Sequence, residues 1–501
     1  MTARAQRTGD KRRKPAGEAD TPATDGLAGD VLNAAVAATA TLLSFALPAD
    51  AALSAFFRAR KSGARDRAFI AETAYAVLRR KRLLERLAAA GPNLEPAFLA
   101  PGSRPTRGPG NQSRQAGPRR ISPRELVLLS LSRVRGMSQR QLEGALLPGE
   151  AEWLADIRRQ PEPELTLAEQ LDFPDWLVER LSSQSTGRPK IDLSPAEGGA
   201  EEFPAPGAVP IPGMSPQDLL ALARALNTPA PLDLRVNTLK AERDGVVRLL
   251  AADGIVAVPC PYSPVGLRLK SKPFLQKHPA YLGGSIEVQD EGSQLLGYLL
   301  APKRGEMVVD FCAGAGGKTL ILGALMRSTG RLYAFDVSAK RLAKLKPRAA
   351  RAGLSNVHPA CLSGENDTRV KRLSGKVDRV LVDAPCSGLG TLRRNPDLKW
   401  RQTAQSVAEL TVKQAAILAA AAKLLKPGGR LVYATCSILA EENEGIVDAF
   451  LATHGEFHRL SAQEVLAAQG IVIDCGAGDM RLSPQKHGTD GFYAAVLERL
   501  R

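Results

Sequence analysis

The alternation of short apolar segments with longer helical segments after Ser293 is the feature that most constrains the fold. Six apolar segments are predicted to be strands: Met307–Phe311, Arg331–Asp336, Asn356–Ala360, Arg379–Asp383, Arg430–Ala434 and Tyr493–Leu497. Helices are predicted between them, for example over 339–352 and 406–425. Strands that alternate with helices form mostly parallel sheets with helices on both faces. Residues 293–501 are therefore predicted to be a Rossmann-like α/β domain.

The residues before this domain divide into segments of different composition. A polar, basic tail that is predicted to be disordered covers 1–26. Helical spacing of apolar residues predicts an all-α domain over 27–182, and an insertion rich in Pro, Gly and Arg interrupts it at about 91–122. A predicted linker follows over 183–214, and strand–helix–strand order predicts a small α+β module over 215–292.

The charge balance of the chain points to a polyanionic partner. The 501 residues include 68 Lys and Arg against 52 Asp and Glu, which gives a formal net charge of +16. Nucleic acid is the simplest partner for such a chain, and an ordinary surface in a basic proteome is the alternative. The apolar fraction of 44% is high enough for a sizeable core, which argues against a wholly disordered chain.

The six cysteines are too few and too scattered for a disulfide scaffold, and none has the spacing of a zinc site with another Cys or His. Reduced thiols in a cytoplasmic protein without a metal site are therefore expected. The apolar stretch 31–57 follows a basic segment, as in a signal peptide, but Asn33, Pro48 and Asp50 interrupt it. No apolar run is long enough to predict a membrane span.

A glycine-rich turn follows the first predicted strand. The sequence from Asp310 to Thr319, DFCAGAGGKT, places glycines where a strand passes into a helix, so that a ligand can approach the backbone and the free N–H groups of the helix. Cys312 stands where the Walker phosphate-binding pattern requires glycine, and Thr319 stands where the dinucleotide pattern requires it. A ligand that is held by its phosphates is therefore not predicted at this turn.

An acidic residue, Asp336, ends the second predicted strand, 26 residues after Asp310. A carboxylate at this place accepts hydrogen bonds from a ribose diol, and capping of the following helix is the alternative reading. An adenosine ligand without phosphates fits both the turn and the carboxylate. These features together predict S-adenosylmethionine as the cofactor.

Two cysteines follow neighbouring predicted strands. Cys386 comes after the fourth strand, next to Asp383 and Pro385, and Cys436 comes directly after the fifth strand. The carboxyl ends of strands are where open α/β folds bind their ligands. A buried core cysteine is the usual explanation for either residue alone, but two thiols at equivalent strand ends favour a chemical role.

These motifs resemble those of the Sun/RsmB-type RNA cytosine-5 methyltransferases. The similar segments are VQDEGSQL at 288–295, DFCAGAGGKT, DAPCSGLGTLRRNPDLKW, YATCS and the terminal HGTDGFYAAVLER. The resemblance covers 232–501 closely. The segment FFRARKSGARDRAFIAETAYAVLRR is similar to the NusB-like helical RNA-binding domain of that family, from which the Arg-rich insertion at 101–120 departs.

The resemblance implies a class I methyltransferase that acts on C5 of a cytidine in RNA, with 16S ribosomal RNA as the first expectation. A thiolate that adds to C6 of cytosine makes C5 nucleophilic enough to attack the methyl group of S-adenosylmethionine, after which loss of the C5 proton releases the enzyme. The partner is then RNA, and the protein is expected to be a cytoplasmic monomer. Transfer RNA as the substrate and a non-catalytic RNA-binding or assembly factor remain the alternatives.

The resemblance also assigns roles to residues. It implies that Cys436 is the nucleophile and that Cys386 assists proton removal or product release, whereas the Pro-Cys dipeptide holds the nucleophile in the analogous DNA enzymes. Asp383 is placed to assist addition at N3 of cytosine if it is protonated or shares a proton. The expected cofactor pocket consists of Cys312, Ala313, Gly314, Ala315, Gly316, Gly317, Lys318, Asp336, Arg341 and Asp383.

Two further expectations concern the edges of the site. The family usually has an aspartate after the third strand, and Asn366 or Asp367 is the candidate here. A basic segment with a tryptophan suits phosphate contacts and base stacking, and surface charge beside a core tryptophan is the alternative. The candidate substrate residues in this segment are Arg393, Arg394, Lys399, Trp400 and Arg401.

Overall fold

The computed structural model describes residues 26–92, 94, 121–182, 214–476 and 478–501. The predicted tail, most of the predicted insertion and most of the predicted linker lie outside the described residues. The predicted domain divisions therefore stay predictions.

The first described region, which we call the helical region, covers 26–182. Capping boxes begin three of its helices, where Ser122, Ser138 and Thr166 each accept a hydrogen bond from the backbone three residues on. A π-helical turn over Ser130–Val134 continues the fifth helix. The helices are α1 (Gly29–Leu43), α2 (Ala49–Ala59), α3 (Ala64–Arg79), α4 (Lys81–Ala90), α5 (Pro123–Leu129), α6 (Gln139–Leu142), α7 (Glu150–Arg159), α8 (Leu167–Leu171) and α9 (Asp175–Ser182).

A small module with one antiparallel sheet follows. Its strands are β1 (Leu232–Val236), β2 (Ala257–Pro259), β3 (Gly266–Leu269) and β4 (Ile286–Val288), in the spatial order β2-β3-β1-β4. Its helices are α10 (Pro216–Leu226), α11 (Arg243–Ala252) and α12 (Pro279–Leu282). The predicted strand–helix–strand order is confirmed by β1, α11 and β2.

The large sheet forms the rest of the molecule. Its strands are β5 (Met307–Asp310), β6 (Arg331–Asp336), β7 (Val357–Cys361), β8 (Val377–Asp383), β9 (Leu425–Thr435), β10 (Phe457–Leu460), β11 (Met480–Leu482) and β12 (Phe492–Arg499). The spatial order is β10-β12-β9-β8-β5-β6-β7, with β11 beside β12. Strands β5 to β9 pair in parallel, and β12 pairs antiparallel with β9, β10 and β11. The predicted mostly parallel sheet is confirmed.

Helices cover both faces of this sheet. The buried apolar side chains form two large cores, and a smaller cluster packs the helices that follow β5 and β6 against β6. The helices around the sheet are α13 (Glu291–Leu300), α14 (Gly317–Leu325), α15 (Ala339–Leu342), α16 (Leu345–Ala352), α17 (Thr368–Lys371), α18 (Leu398–Arg401), α19 (Ala404–Ala422), α20 (Glu444–Thr453), α21 (Ala462–Ala467) and α22 (Pro484–His487).

Two helix predictions were wrong in detail. The helix predicted over 339–352 is interrupted between α15 and α16. Pro347 explains the interruption, because it has no N–H to donate to the carbonyl of Ala343. The helix predicted to reach Leu425 ends at Ala422, and Leu425 already begins β9.

The segment around α18 joins the helical region to the large sheet. Trp400 packs against the helical core, and its indole N–H donates to the carbonyl of Leu78 at 2.8 Å. The Asp397 carboxylate accepts a hydrogen bond from the backbone N–H of Ala49, at the start of α2. Within the described residues, no helix is both long and apolar enough to cross a membrane.

Candidate active site

The turn between β5 and α14 is built around two glycines with positive φ. Gly314 has φ +56° and Gly316 has φ +89°. A Cβ atom at Gly316 would lie 2.1 Å from the side chain of Leu345, and a Cβ atom at Gly314 would lie 2.3 Å from the guanidinium of Arg341. Both the backbone conformation and the close packing therefore require glycine, as the sequence predicted for this turn.

Asp336 closes this turn at the end of β6. One carboxylate oxygen accepts the N–H of Gly314 at 2.8 Å, and the other accepts the N–H of Ser338 at 2.7 Å. Arg341 lies 3.4 Å from the same carboxylate. Each carboxylate oxygen can accept a second hydrogen bond, so Asp336 keeps acceptor capacity for a ligand hydroxyl. The structure thus brings together three of the predicted cofactor residues.

A second carboxylate, that of Asp310, lies buried at the end of β5. One of its oxygens accepts the hydroxyl of Thr319 at 2.6 Å, and the other has no hydrogen-bond partner among the described residues. Burial raises the pKa of Asp310 to about 7, and the nearby charge of Asp383 acts in the same direction. An unpartnered buried carboxylate oxygen is costly unless a ligand donates to it or brings a positive charge. S-adenosylmethionine is cationic, so the two carboxylates at this turn, Asp310 and Asp336, fit it.

The two predicted thiols meet at the carboxyl ends of β8 and β9. The Sγ atoms of Cys386 and Cys436 are 3.4 Å apart. The hydrogen bond to Cys436, followed by burial and the neighbouring negative charges of Cys436 and Glu442, raises the pKa of Cys386 well above that of an ordinary thiol. Cys386 therefore holds its proton beside the sulfur of Cys436.

Asp383 and Lys318 form an ion pair next to these thiols. The Nζ atom of Lys318 is 2.7 Å from a carboxylate oxygen of Asp383. Burial alone would lower the pKa of Lys318, but the charge of Asp383, with smaller contributions from Cys436 and Asp310, raises the pKa overall. Lys318 therefore keeps its proton and donates a hydrogen bond to the carboxylate of Asp383, and the expected action of Asp383 at N3 stays a prediction.

A buried carboxylate that sequence reasoning missed connects the two cysteine loops. Glu442 is 0% exposed, and it accepts hydrogen bonds from the hydroxyls of both Ser387 and Ser437. It also accepts the backbone N–H of Ser387 at 2.8 Å and the amide of Gln414 at 3.0 Å. Because each serine directly follows a catalytic candidate, Glu442 fixes the two thiols relative to each other. The repeated Cys-Ser pair was the only signal in the sequence.

Two glycines, also missed, hold the backbone of Cys436. The N–H of Gly390 donates to the carbonyl of Cys436 at 2.9 Å, and the N–H of Gly491 donates to the carbonyl of Gly390 at 2.8 Å. A Cβ atom at Gly390 would lie 2.2 Å from the carbonyl oxygen of Gly491. The loop after β8 and the segment before β12 therefore approach each other too closely for any side chain at Gly390.

The structure separates the candidate substrate residues into two groups. Lys399 is 0% exposed, and its ammonium donates to the carbonyl of Arg79 and the side-chain oxygen of Asn227. Trp400 packs into the helical region, and Arg401 pairs with Asp397. The expected phosphate and base contacts of Lys399 and Trp400 do not fit these positions, because both side chains are engaged between regions of the protein.

Arg393 and Arg394 lie nearer to solvent. Arg394 forms ion pairs with Asp290 and Asp490, whereas Arg393 donates only to backbone carbonyls. Arg393, like Lys399, thus forms no ion pair with a carboxylate among the described residues.

The carboxylate of Asp367 is already engaged. It accepts the backbone N–H groups of Ser363 and Arg369 and pairs with the guanidinium of Arg369. These hydrogen bonds hold the pKa of Asp367 well below its usual range. Asp367 therefore serves first as the N-terminal cap of α17. Among the described residues, no group of three or more His, Cys, Asp or Glu side chains is arranged to hold a metal ion.

Comparisons with family models agree with this arrangement. Residues 297–498 match the model of the 16S rRNA methyltransferase RsmB/F family, and residues 214–274 match the model of the ferredoxin-like domain of RsmF/B-like methyltransferases. The second match covers most of the small antiparallel module.

Individual relatives cover more of the chain. A probable ribosomal RNA small subunit methyltransferase B of Synechocystis is 35% identical over 68% of this chain and 69% of its own length. The ribosomal RNA small subunit methyltransferase B of Sodalis glossinidius is 37% identical over 56% of this chain and 62% of its own length. These matches confirm the predicted resemblance.

Solved structures share the fold. The crystal structure of PH0851 has a TM-score of 0.70 and 26% identity, and it covers 95% of this chain and 99% of its own. A methyltransferase homolog from Pyrococcus horikoshii has a TM-score of 0.52 and 28% identity, and it covers 67% of this chain and 98% of its own. The predicted class I methyltransferase fold with a helical first region is confirmed.

Proposed function

This chain belongs to the RsmB/F family of S-adenosylmethionine-dependent 16S ribosomal RNA methyltransferases, and from that premise we propose that it methylates C5 of a cytidine in small-subunit ribosomal RNA. The observation that carries the proposal is the pair of thiols 3.4 Å apart, beside the Lys318–Asp383 ion pair. C5 of cytosine is a poor nucleophile until another group adds to C6, and a thiolate is the side chain best suited to that addition.

We assign the addition to Cys436. Its neighbour Cys386 keeps a proton that it can donate to the sulfur of Cys436, which favours negative charge on that sulfur. The ammonium of Lys318 also interacts favourably with an anionic Cys436. In the proposed step, the Sγ–C6 bond forms and the electrons of the C5–C6 double bond move towards C5.

Lys318 and Asp383 are proposed to hold the pyrimidine during this addition. Negative charge that moves into the ring is stabilised when N3 receives a hydrogen bond or a proton. The protonated Lys318, paired with Asp383 beside the thiols, offers such a proton. Asp383 then acts on the base through the proton that Lys318 supplies.

Cys386 is proposed to act later in the reaction. The proton that leaves C5 needs an acceptor: Cys386 is proposed to give its own proton to solvent and then, as a thiolate, to take up the proton from C5. Elimination then breaks the Sγ–C6 bond and returns Cys436 as a thiolate. Because the two sulfurs are 3.4 Å apart, both can lie next to the same cytosine ring.

The cofactor pocket is proposed to comprise the turn 312–318 together with Asp336, Arg341 and Asp383. S-adenosylmethionine supplies the methyl group when it is bound. Asp336 is positioned to accept hydrogen bonds from the ribose, and the glycines allow the ligand to approach the backbone. Asp310, which the sequence did not single out as a ligand residue, is added to this pocket because of its unpartnered oxygen.

Methyl incorporation into RNA tests this function directly. The purified chain is incubated, in separate reactions, with 16S ribosomal RNA transcript and with transfer RNA, each with S-adenosylmethionine that carries a tritiated methyl group. The digested RNA is analysed for labelled 5-methylcytidine. We expect label in 5-methylcytidine with the wild-type chain and with the Cys475→Ala variant, whose thiol is buried in a core of the large sheet and is not one of the proposed site residues. Label in another nucleoside would contradict the proposal, and label in transfer RNA alone would replace the substrate.

A further inference from the structure

Two adjoining cavities form a groove where the helical region, the small module and the large-sheet domain meet. Their volumes are about 430 and 620 Å³, and both are lined by Pro229–Leu232, Lys272 and Arg393. The larger one extends along α3 to Arg79, and the smaller one extends along β3 to Lys270. We call this surface the three-region groove.

The cations of this groove outnumber its acidic groups: Glu72 is the carboxylate that lines the larger cavity, and its charge acts on both Arg79 and Lys272 without a direct ion pair. Within the described part of the chain, Arg79, Lys272 and Arg393 form no ion pair with a carboxylate, and Lys272 has no hydrogen-bond partner for its ammonium. The Nε atoms of Arg79 and Arg393 are buried without a partner. Neighbouring Arg394 and Arg80 are different, because each is paired with an aspartate.

Positive charges that lie close together without ion-pair partners repel one another, which is unfavourable unless an anion is bound. Burial, followed by the charges of Arg79 and Arg394, lowers the pKa of Lys272. Burial likewise lowers the pKa of Arg79 to about 10, with a further lowering from Arg393. A protein rarely keeps such a cluster unless something offsets the repulsion, and a chain of phosphate groups is the ligand that spans several separate cations.

The groove is connected to the thiol site through the loop after β8. Gly390 binds the carbonyl of Cys436, and Arg393 follows three residues later in the same loop. The carbonyl of Arg393 in turn accepts a hydrogen bond from Arg79 on α3 at 3.1 Å. A polymer that lies in the groove is therefore adjacent to the loop that carries the catalytic candidates.

We propose that the three-region groove binds the phosphate backbone of the RNA strand that flanks the target cytidine. This inference rests on the proposed function and deepens it, because it identifies the surface that holds the substrate. The site exists only where the helical region is docked on the other two regions, since Arg79, Lys272 and Arg393 come from all three.

The test uses Lys272→Ala in the full chain. Lys272 reaches solvent from the wall of the groove and forms no hydrogen bond or ion pair with the described residues, so its removal is expected to leave the folded state intact. The control is Lys303→Ala, which removes an exposed lysine from the loop before β5. This loop lies at the amino ends of the parallel strands, whereas the thiols lie at their carboxyl ends. Binding of 16S ribosomal RNA transcript is measured by filter retention from low to moderate salt, and methyl transfer is measured with the same preparations.

We expect Lys272→Ala to weaken RNA binding about three- to tenfold at low salt and to reduce the slope of log affinity against log salt by about 1. KM for RNA rises and kcat stays unchanged, whereas Lys303→Ala behaves as the wild type. Equal salt slopes for the wild type and Lys272→Ala, in an enzyme that still methylates RNA, would contradict RNA binding in the three-region groove and leave the proposed function standing. A wild-type chain that methylates no RNA would overturn the proposed function as well.

Discussion

The loop after β8 and the loop after β9 carry the same Cys-Ser pair at the carboxyl ends of neighbouring parallel strands, but their thiols differ in their surroundings. Both serines bind Glu442, so the two backbones are held in the same way. The thiol of Cys386 has a raised pKa and keeps its proton. The thiol of Cys436 interacts electrostatically with the ammonium of Lys318, and the backbone carbonyl of Cys436 accepts a hydrogen bond from the N–H of Gly390.

This difference shows how one scaffold can divide a reaction between two identical side chains. A shared carboxylate connects the two cysteine loops, and the two sulfurs differ in the charged groups that surround them. The Pro-Cys dipeptide by itself favoured Cys386 as the nucleophile, by analogy with DNA enzymes. The proposed assignment to Cys436 rests instead on the proton that Cys386 keeps and on the neighbouring ammonium of Lys318.

The largest expected effect is that of Cys436→Ala. Removal of the attacking thiolate is expected to lower kcat by at least about three orders of magnitude, because the remaining residues can only bind and orient the substrates. S-adenosylmethionine binding, measured by calorimetry, stays within about twofold of the wild type. A Cys436→Ala enzyme that keeps more than a tenth of the wild-type kcat would contradict the assignment of Cys436, and not Cys386, as the attacking residue.

Cys386→Ala is expected to separate addition from release. Loss of a base typically costs about 10²- to 10⁴-fold in rate. Because Cys436 is intact, the variant still adds to the RNA, and we expect an enzyme–RNA adduct that survives denaturing gel electrophoresis. A variant that is inactive and forms no adduct would indicate that Cys386 is needed for the addition itself.

Glu442→Gln tests whether the shared carboxylate positions the thiols. A glutamine presents an N–H group where the serine hydroxyls donate, and the buried groups left unsatisfied cost about 1–3 kcal/mol in the free energy of unfolding. We expect kcat to fall about ten- to a hundredfold through misplacement of the sulfurs, while KM for RNA is unchanged. Glu441→Gln, at the adjacent and less buried position, is the control.

A kcat of Glu442→Gln that equals the wild-type value below the melting temperature would show that Glu442 only stabilises the fold. The rate must be measured per folded molecule, with circular dichroism at the same temperature. A positioning role also predicts that the rate of adduct formation falls in parallel with kcat.

The smallest effect concerns the carboxylate of Asp310, on the strand that neighbours β8. Its folded-state pKa is raised to about 7, so between pH 4 and 7 the free protein binds a proton that the unfolded chain has lost. In the absence of ligand, this contribution to stability is present at low pH and is lost as the pH rises through 7. Binding of the cationic S-adenosylmethionine requires the ionised form.

Calorimetry measures the consequence for the cofactor. We expect S-adenosylmethionine to bind about tenfold more weakly at pH 6 than at pH 8, since most Asp310 side chains are protonated at the lower pH. Asp310→Asn is expected to bind weakly at both pH values. A pH dependence that persists unchanged in Asp310→Asn would assign the titration to another group.

Much of this architecture could be predicted from the sequence, because local patterns specify it. The six predicted strands agree with the structure within a few residues, and the turn glycines and the two cysteines lie where the strand ends indicated. The short strands β10 and β11 were not predicted. They have four and three residues, too few for a periodic pattern, and their pairing with β12 supplies what their own sequence does not.

The rest depends on contacts between distant residues. Glu442 and Gly390 owe their importance to partners that only the fold brings near, and no local pattern identifies them. Lys399 and Trp400 were expected at an RNA surface because they are basic and aromatic. Their burial against the helical region follows from domain docking, which the sequence of the segment does not reveal.

The most direct test of the central claim is the identity of the sulfur that bonds to RNA. The wild-type chain is incubated with S-adenosylmethionine and 16S ribosomal RNA that contains 5-fluorocytidine, in which the fluorine at C5 blocks the elimination that would release the enzyme. Mass spectrometry of the digested adduct locates the modified peptide. The account predicts a nucleotide attached to Cys436 alone, and a nucleotide attached to Cys386 would contradict it.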